Sequence, residues 1–509
     1  MWKWCIGLLL AAAASALTPQ QLVVVYNENS ELSRQSALRY VELRGVPREN
    51  LVGLSGLSRQ DVSREDYQRL VVDPLLKCAR ERDWRLASAV SRGGRKPVYA
   101  ILLMPDFPMR VGAIRGKKPN SQVEKSSASL DSELALLGAP YSPIGCISNP
   151  SFEASAPFRD CPPAALSVCR IDAPNEAAIQ GMLEAPVSVE KKGLWGWTVV
   201  DNGGPYVMGN KWMSEVVSLA QRAWQPLFHE SSFKTLPVSF PLMQGVSVYF
   251  GWYSHAVNGP FSPNAAESFR FAPGAIAFHL FSYSCRSARK KDDWVGALLL
   301  RGAAVSAGNV DEPFLHLSLR PDIFYNRLLK GYCVAEAALM ATPALSWQGV
   351  VLGDPLYRPY AARRQNRDSK ENPFVQWALM SAECRGNYEL MRERLPRYLS
   401  GTHGAFFAEA FAWYCLEKKS PGKAAEFFRM AFNASGNESD KLRNRILLIS
   451  SLFSKGDQRL AQQMMRCCLE ESVHSPHRPA VEATADVVLK EERDRERAEK
   501  KKRAPQNQR

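Results

Sequence analysis

Short apolar runs alternate with amphipathic stretches along the first 360 residues of the chain. The run "LVVVY" (22–26) is β-branched and apolar, as expected for a strand buried on both faces. "NENS" follows it and offers helix-capping side chains before a helical stripe of apolar residues over 32–43. "VYAILLMP" (98–105) has the pattern of another buried strand. This alternation predicts an α/β unit over 17–184 with parallel strands and right-handed crossovers.

A second set of strand-like runs begins near residue 185 and predicts a second parallel-sheet unit over 185–365. Helical patterns separate several of these runs. The runs are "WGWTVV" (195–200), "GVSVYFGW" (245–252), "GAIAFHLF" (274–281), "GAAVSAG" (302–308) and "QGVVLG" (348–353). Open α/β sheets bind ligands beyond the carboxyl ends of their strands. The side chains expected at that edge are Asp201, His255, Cys285, Asn309 and Asp354.

Strand patterns stop after residue 360, and residues 374–486 have helical periodicity. "YCLEKKSPGKAAEFFRMAF" (414–432) and "LFSKGDQRLAQQMMRCCLE" (452–470) both read as helix, Lys-containing turn and helix. Their spacing is close to the tetratricopeptide period of about 34 residues. The pattern predicts either a tetratricopeptide-like repeat or plain antiparallel helices. Residues 487–509 are charged and low in complexity, which favours a disordered tail.

The first twenty residues, "MWKWCIGLLLAAAASALTPQ", have the pattern of a secretory signal peptide cleaved after Ala16. An early Lys3 is followed by an apolar run and then by small residues. The apolar run is too short to cross a bilayer of about 30 Å. The expectation is a secreted or periplasmic bacterial protein with no transmembrane segment after cleavage of residues 1–16.

Charge and cysteine content bear on the partners and on the compartment. The formal net charge of +14 favours anionic partners. The basic residues are scattered, and the densest run lies in the C-terminal tail, so nucleic-acid binding is not expected. The chain has eleven cysteines, of which Cys5 lies in the expected signal peptide, and an oxidising compartment predicts that some of the others form disulfides. The preferred pair is Cys146–Cys161, within a Pro-rich insertion.

Cys285 and His255 are the candidate catalytic residues. A thiol nucleophile needs a base within hydrogen-bonding reach, and both residues follow strands that are predicted neighbours. The order strand, His, strand, Cys over residues 185–360 resembles caspase-like and gingipain-like cysteine peptidases. Ala256 replaces the glycine that follows the histidine in those enzymes, and "YSCRS" lacks a glycine for the oxyanion pocket. The sequence therefore leaves the dyad open beside the interpretation of Cys285 as an ordinary strand-end thiol.

Other polar residues have structural interpretations. His279 lies within an apolar strand and is expected to be a core histidine. Asp131 and Glu133 are expected to cap a helix. Asp354 precedes Pro355 and favours a turn. The sequence contains no HExxH motif and no paired CxxC motif, so neither a metal site nor a cofactor is predicted.

Several phrases in order resemble a bacterial secreted family whose occurrence tracks exosortase protein-sorting systems and which has no assigned activity. The resemblance covers about residues 18–360. Its phrases include "SLDSELALLG", "GLWGWTVVD", "NGPFSPNAAESFRFAPGAIAFHLFSYS", "WVGALLLRGAAVSAGNVDEPF" and "ALSWQGVVLGDPLYRP". The resemblance implies that a shared pocket would be built from residues in the matching phrases and from Asp354. Those residues are His255, Asn258, Gly259, Pro260, Gly308, Asn309, Glu312 and Pro313.

These observations predict a secreted α/β protein with two parallel-sheet units, the second caspase- or gingipain-like, and a helical C-terminal region. The expected function is a binding or assembly factor linked to exosortase-type surface-protein sorting or to exopolysaccharide. Its expected partner is a protein or an anionic glycan. The alternative is a caspase- or gingipain-like cysteine peptidase, or another hydrolase, with its site at the carboxyl edge of the second sheet.

Overall fold

The computed structural model describes residues 17–58, 61–88, 94–114, 126–158, 160–230, 242–263, 269–362 and 371–494. The expected signal peptide (1–16) and the end of the charged tail (495–509) lie outside them. The described residues form two compact units. The first is drawn from 17–223, 245–257 and 270–362, and the second from 224–244, 258–269 and 371–494.

The strands of both units are numbered in chain order. They are β1 (Leu22–Asn27), β2 (Leu51–Leu54), β3 (Trp84–Leu86), β4 (Lys96–Val98), β5 (Ala100–Leu103), β6 (Arg110–Val111), β7 (Ala128–Ser129), β8 (Ile147–Ser148), β9 (Ser167–Arg170), β10 (Trp197–Asn202), β11 (Leu227–Glu230), β12 (Val246–Trp252), β13 (Ile276–His279), β14 (Ser306–Asn309), β15 (Ala344–Leu345) and β16 (Gly349–Leu352).

The helices are numbered in the same way. They are α1 (Glu31–Arg44), α2 (Arg64–Tyr67), α3 (Asp73–Glu81), α4 (Leu130–Leu134), α5 (Glu176–Glu190), α6 (Val207–Arg222), α7 (Trp294–Leu300), α8 (Pro321–Leu329), α9 (Val334–Ala341), α10 (Pro373–Glu383), α11 (Tyr388–Arg394), α12 (Pro396–Leu399), α13 (Gly404–Glu417), α14 (Pro421–Ala434), α15 (Glu438–Lys455), α16 (Gln458–Glu471) and α17 (Arg478–Val488).

A six-stranded sheet in the order β14-β16-β9-β5-β1-β2 forms the centre of the first unit. Its strands are parallel except for β14, which is antiparallel to β16. Every residue of β5 and β9 is buried, because a parallel sheet of this kind is covered on both faces. Ser30 caps α1 by accepting a hydrogen bond from the Ser33 N–H, which fixes the helix start directly after β1. The mixed α/β class with a parallel-rich sheet is confirmed.

The second sheet of this unit contains the parallel strands β10, β12 and β13, and it continues into the first. A parallel bridge joins Ile276 to Val305, and the Ala277 N–H donates to the Val305 carbonyl at 2.9 Å. The prediction that 302–308 and 348–353 belong to the second sheet is wrong, because β14 and β16 are both strands of the six-stranded sheet. β14 pairs with β16, and β16 pairs in turn with β9 of the first 184 residues.

The second unit contains β11 and helices α10 to α17, so the helical C-terminal region is confirmed. Consecutive helices from α13 to α17 pack on one another. A buried ion pair ties α13 to α15, since Arg443 Nε and Nη2 each lie 2.7 Å from a carboxylate oxygen of Glu409. The two repeat-like segments each span a helix, a turn and a helix. A tetratricopeptide-like arrangement stays a prediction.

The expected Cys146–Cys161 disulfide is not formed, since both residues are free thiols. Hydrogen bonds hold the Pro-rich insertion in its place. The Asn149 amide donates to the Leu339 carbonyl at 2.8 Å, and the Phe158 N–H donates to Glu336 Oε1 at 3.1 Å. These bonds attach the insertion to α9, so its order does not depend on a cross-link.

Candidate binding site at the carboxyl edge of the sheets

Aromatic side chains collect where β10, β12, β13 and β14 end. Tyr206 follows β10, Trp252 ends β12, Tyr253 comes next, Phe281 follows β13, and Phe314 follows β14. Together with neighbouring side chains they line a cavity of about 370 Å³, here called the aromatic cavity. Its other lining residues are Met208, Leu280, Ser282, Glu312, Pro313, Leu315, His316 and Ser318.

The rings of the aromatic cavity face in different directions. The centroids of Tyr253 and Phe281 are 4.9 Å apart with planes inclined by 58°. Trp252 lies 5.4 Å from Tyr253 at 70°, and Tyr206 lies 5.9 Å from Tyr253 at 81°. Such inclined contacts are the arrangement that aromatic quadrupoles favour. Rings of different orientation therefore contribute to the lining of one cavity.

Two glycines place Trp252 beneath the first turn of α6. A Cβ atom at Gly204 or at Gly209 would lie 2.1 Å from the indole ring, so only glycine permits this close approach. The indole N–H donates to Asn210 Oδ1 at 2.7 Å. This packing holds the start of α6 at the cavity, where 54% of Tyr206 remains exposed.

The loop after β14 forms the opposite side of the cavity. Glu312 is half-buried, and its Oε1 accepts a hydrogen bond from the Phe314 N–H at 3.0 Å. Phe314 has φ +58°, a left-handed conformation that costs free energy for a bulky residue. The Trp347 indole N–H donates to the Pro313 carbonyl at 2.7 Å and holds the loop from below. Strain of this kind is concentrated at binding and catalytic sites.

A buried polar network supports the β12 end of the cavity. His279 Nε2 accepts the Ser254 N–H at 3.2 Å, and its Nδ1 lies 3.2 Å from the Tyr249 hydroxyl. Burial lowers the pKa of His279 well below its ordinary value, so the ring is neutral. Because Nε2 accepts, Nδ1 carries the proton and donates to Tyr249, whose hydroxyl interacts with Asp201. His279 is thus a satisfied core histidine that fixes the loop after β12.

The structure places Cys285 and His255 in different environments. Cys285 is fully buried, and burial raises the pKa of its thiol well above the ordinary value. The Cys285 N–H donates to the Asn309 carbonyl at 2.9 Å. The site is tightly packed, since a Cβ atom added at Gly308 would lie 2.8 Å from the Cβ of Cys285. His255 is exposed, with its ring edge-on to Phe281 at 5.3 Å. The surroundings of Cys285 favour a neutral thiol.

The remaining predicted residues have separate positions. Asp201 is buried on β10 beside Tyr249, and Asn309 donates from Nδ2 to the Phe281 carbonyl at 3.3 Å. Glu312 lines the aromatic cavity. Asn258 precedes a short 3-10 turn in the second unit.

Asp354 is fully buried away from the aromatic cavity and joins α1 to the turn after β16. Its Oδ1 accepts the Tyr40 hydroxyl at 2.6 Å and the Leu356 N–H at 2.9 Å. Its Oδ2 accepts the Arg44 Nε–H at 2.5 Å. This is the turn-stabilising role that its position before Pro355 predicts.

A second, polar cavity of about 700 Å³ lies beyond the carboxyl ends of β1 and β5. The chain passes from β1 to β2 on one side and later to β5 on the other, so this is a topological switch point. Arg289 bridges two buried carboxylates, Asp106 at 2.7 Å and Asp172 at 2.8 Å. The Ser30 hydroxyl donates to Asp106 at 2.5 Å. Burial raises the pKa of Asp172.

The carboxyl edge and Glu312 were expected from the sequence, whereas the aromatic lining was not. The signal was present in "GGPY", "GWYS", "HLFSYS" and "DEPF", where aromatic residues come at or shortly after strand ends. Among the described residues, no group of three or more His, Cys, Asp or Glu side chains is arranged to hold a metal ion. No helix in the described ranges is long and apolar enough to cross a membrane.

The fold and the cavities define a mixed α/β protein with two candidate ligand sites along the carboxyl edges of its parallel strands. No family model, curated protein or solved structure matches the chain. The likeness to the exosortase-associated secreted family stays a prediction.

Proposed function

We propose that this chain is an extracytoplasmic binding factor, serving exosortase-type surface-protein sorting or exopolysaccharide assembly, and that it takes its ligand in the aromatic cavity. The observation that carries the proposal is the convergence of five aromatic side chains from four strand ends on one cavity. Ligand sites in open α/β sheets occur at this edge. They are mostly apolar clefts of about 300–1,000 Å³ with a few placed polar groups.

The lining of the aromatic cavity suits binding better than covalent chemistry. Its rings supply contact area and orientation at little cost in side-chain entropy. Glu312 and the Phe314 N–H are already hydrogen-bonded to each other, and Asn309 supports the Phe281 carbonyl. A site held in this way before the ligand arrives loses less free energy on binding.

A hydrolase is the second proposal, and the polar cavity is the observation that favours it. Asp106 and Asp172 share Arg289 at a topological switch point, and the pKa of Asp172 is raised, as in carboxyls that act as general acids. The peptidase form of this proposal requires a reactive thiolate at Cys285, which its burial opposes. Hydrolysis of an ester, peptide or glycoside that is lost both in Asp172→Asn and in Asp106→Asn would favour the hydrolase over the binding factor.

The proposed protein or anionic-glycan partner would use a different surface from the aromatic cavity. The net charge of +14 favours an anionic partner, but the described residues that line the cavity include no lysine or arginine. A glycan bound through scattered surface charges should dissociate as salt is raised, because exposed charges are screened over about 10 Å at 0.1 M salt.

The test of the binding proposal compares Tyr206→Ala with Tyr283→Ala in the full chain. Both tyrosines are exposed, at 54% and 37%, but only Tyr206 lines the cavity. Isothermal titration against peptides, oligosaccharides and small organic ions should find a ligand whose Kd weakens about tenfold in Tyr206→Ala and hardly changes in Tyr283→Ala. If every ligand that binds is indifferent to Tyr206→Ala, the cavity is not the binding site.

A further inference from the structure

We propose that the aromatic cavity selects an alkylated ammonium group, such as that of choline. This inference rests on the binding function proposed above and names the ligand class for the same site. It is carried by three properties of the cavity: its rings, its single carboxylate and its mainly apolar lining.

The rings form three sides of a cage. Tyr206, Tyr253 and Phe281 are in successive contact, with centroid distances of 5.9 and 4.9 Å and planes inclined by 81° and 58°. Aromatic faces attract a cation electrostatically when it lies within about 6 Å of the ring centroid, and the attraction grows as water is excluded. Rings that meet at such angles can contact one cation from several directions.

Glu312 gives the cavity its charge. It is the carboxylate among the described lining residues, which include no lysine or arginine, although the chain as a whole carries +14. The pKa of Tyr253 is raised, first by burial and then by the charges of Tyr206 and Glu312. The negative potential of Glu312 therefore reaches the ring that lies at the centre of the cage, and it favours a positive ligand there.

The carboxylate is also held in position. Glu312 Oε1 accepts the Phe314 N–H, and no donor among the described residues reaches Oε2. A cation in the cavity can therefore approach Oε2 without displacing an existing hydrogen bond. The same hydrogen bond ties Glu312 to Phe314, which is itself one of the lining residues, so the carboxylate is held beside the rings.

An alkylated ammonium fits better than a primary amine or a guanidinium. A primary ammonium carries three N–H donors and a guanidinium five, and each donor must find an acceptor when water is removed. Beside Glu312, the lining carries two serines, His316 and two tyrosine hydroxyls as polar side-chain groups, and the rest is aromatic or aliphatic. Several N–H donors on one small ligand could not all meet these groups at once. A quaternary ammonium has no donor to satisfy and presents methyl groups to the rings.

The experiment titrates the full chain with choline and with its neutral isostere 3,3-dimethylbutan-1-ol, which replaces the charged nitrogen by carbon. We expect choline to bind at least about tenfold more tightly, since the two ligands differ in charge and not in shape. Glu312→Gln keeps an acceptor for the Phe314 N–H and removes the charge. It should weaken choline binding about tenfold and leave the alcohol unaffected. Asp311→Asn removes a neighbouring charge outside the lining and should weaken choline binding by less than about threefold.

Each other outcome overturns the inference in a distinguishable way. Equal binding of both ligands, with no effect of Glu312→Gln, would show an apolar cavity without charge selection, and the proposed binding function would stand. Binding of neither ligand would reject the ammonium class, while the comparison of Tyr206→Ala with Tyr283→Ala still decides whether the cavity binds another ligand. Choline binding that Glu312→Gln and Asp311→Asn weaken equally would place the cation outside the cavity.

Discussion

The imidazole of His279 lies flat on the indole of Trp294, with centroids 3.5 Å apart and planes inclined by 5°. Both side chains are buried, and the Trp294 indole N–H donates to the Ser254 carbonyl at 2.9 Å. Since His279 Nε2 accepts the Ser254 N–H, the stacked pair holds both backbone groups of one residue. The loop that carries Tyr253 into the aromatic cavity is therefore anchored to the core.

This arrangement predicts that the first unit loses stability as the pH falls below about 6.5. The pKa of His279 is lowered in the folded protein. As the pH falls, His279 is therefore protonated in the unfolded chain before it is protonated in the folded one. The stabilisation is present above the unfolded pKa of about 6.5 and is lost progressively as the pH falls below it. Urea unfolding followed by tryptophan fluorescence should show a loss of about 1–2 kcal/mol from this group between pH 7 and pH 5.

The matched variants are His279→Asn and His255→Asn. His279→Asn should lower the free energy of unfolding at every pH and make it depend less on pH. His255→Asn, at an exposed residue, should leave the pH dependence of the free energy of unfolding as in the wild type. A wild-type slope that survives in His279→Asn would assign the pH dependence to another group.

A second prediction concerns Gly251 on β12. A Cβ atom there would lie 2.1 Å from the Tyr249 hydroxyl oxygen and 2.6 Å from His279 Nδ1, so Gly251→Ala must displace the hydrogen-bonded pair. We expect a loss of about 1–3 kcal/mol in the free energy of unfolding, the usual cost of overpacking. The control is Gly181→Ala in α5, where a Cβ atom meets nothing within 4 Å. There alanine should be neutral or stabilise by up to about 1 kcal/mol, because glycine is a poor helix former.

Equal effects of the two substitutions would contradict this account, since only the contact at Gly251 distinguishes them. Circular dichroism of both variants should first establish that each retains its secondary structure, so that the comparison of unfolding free energies refers to the same fold.

The positions of the strands along the chain were more predictable than the order in which the strands pair in the sheet. The run 22–26 is apolar and β-branched, and it forms β1 as expected. Nothing local in 348–353 indicates that Leu352 pairs with Arg170, because pairing between distant segments depends on how the intervening chain packs. The boundary predicted near residue 185 failed for this reason: β14 and β16 return to the first sheet.

A third prediction follows from the burial of Asp354. Asp354→Asn removes the charge that faces Arg44 and weakens the bond from the Tyr40 hydroxyl. Loss of one partner from a buried pair costs about 3–5 kcal/mol. Arg44 retains its ion pair with Glu190 at 2.5 Å. We therefore expect Asp354→Asn to lower the free energy of unfolding, measured in urea, by about 2–3 kcal/mol. Asp61→Asn, whose partner Arg110 is 41% exposed, should cost less than about 1 kcal/mol.

Ligand affinity separates this structural role from the binding role that the resemblance implies. Below its unfolding transition, Asp354→Asn should bind a ligand of the aromatic cavity with unchanged Kd. A large loss of affinity in the folded variant would indicate that Asp354 contributes to ligand binding.

The candidate site was predictable in position and only partly in composition. Glu312 and Asn309 follow β14, and both lie at or beside the cavity. Tyr206, Tyr253 and Phe281 were missed because an aromatic residue after a strand has the same local pattern whether it is buried in a core or lines a cavity. The difference depends on Gly204 and Gly209, which bring the start of α6 onto Trp252, and that contact is visible only in three dimensions.

The last prediction concerns the reactivity of Cys285 in the folded chain. The thiolate is the reactive form of cysteine, and burial raises the pKa of Cys285 well above the ordinary value. A thiol-directed electrophile should therefore leave Cys285 unlabelled near pH 7 while it labels Cys161, which is exposed. Mass spectrometry of peptides after short labelling times measures both sites in one sample, so Cys161 serves as the internal control. His255→Ala should change neither rate. Rapid labelling of Cys285 below about pH 7 that His255→Ala abolishes would instead require a paired thiolate, and it would place the cysteine-peptidase proposal ahead of the binding factor.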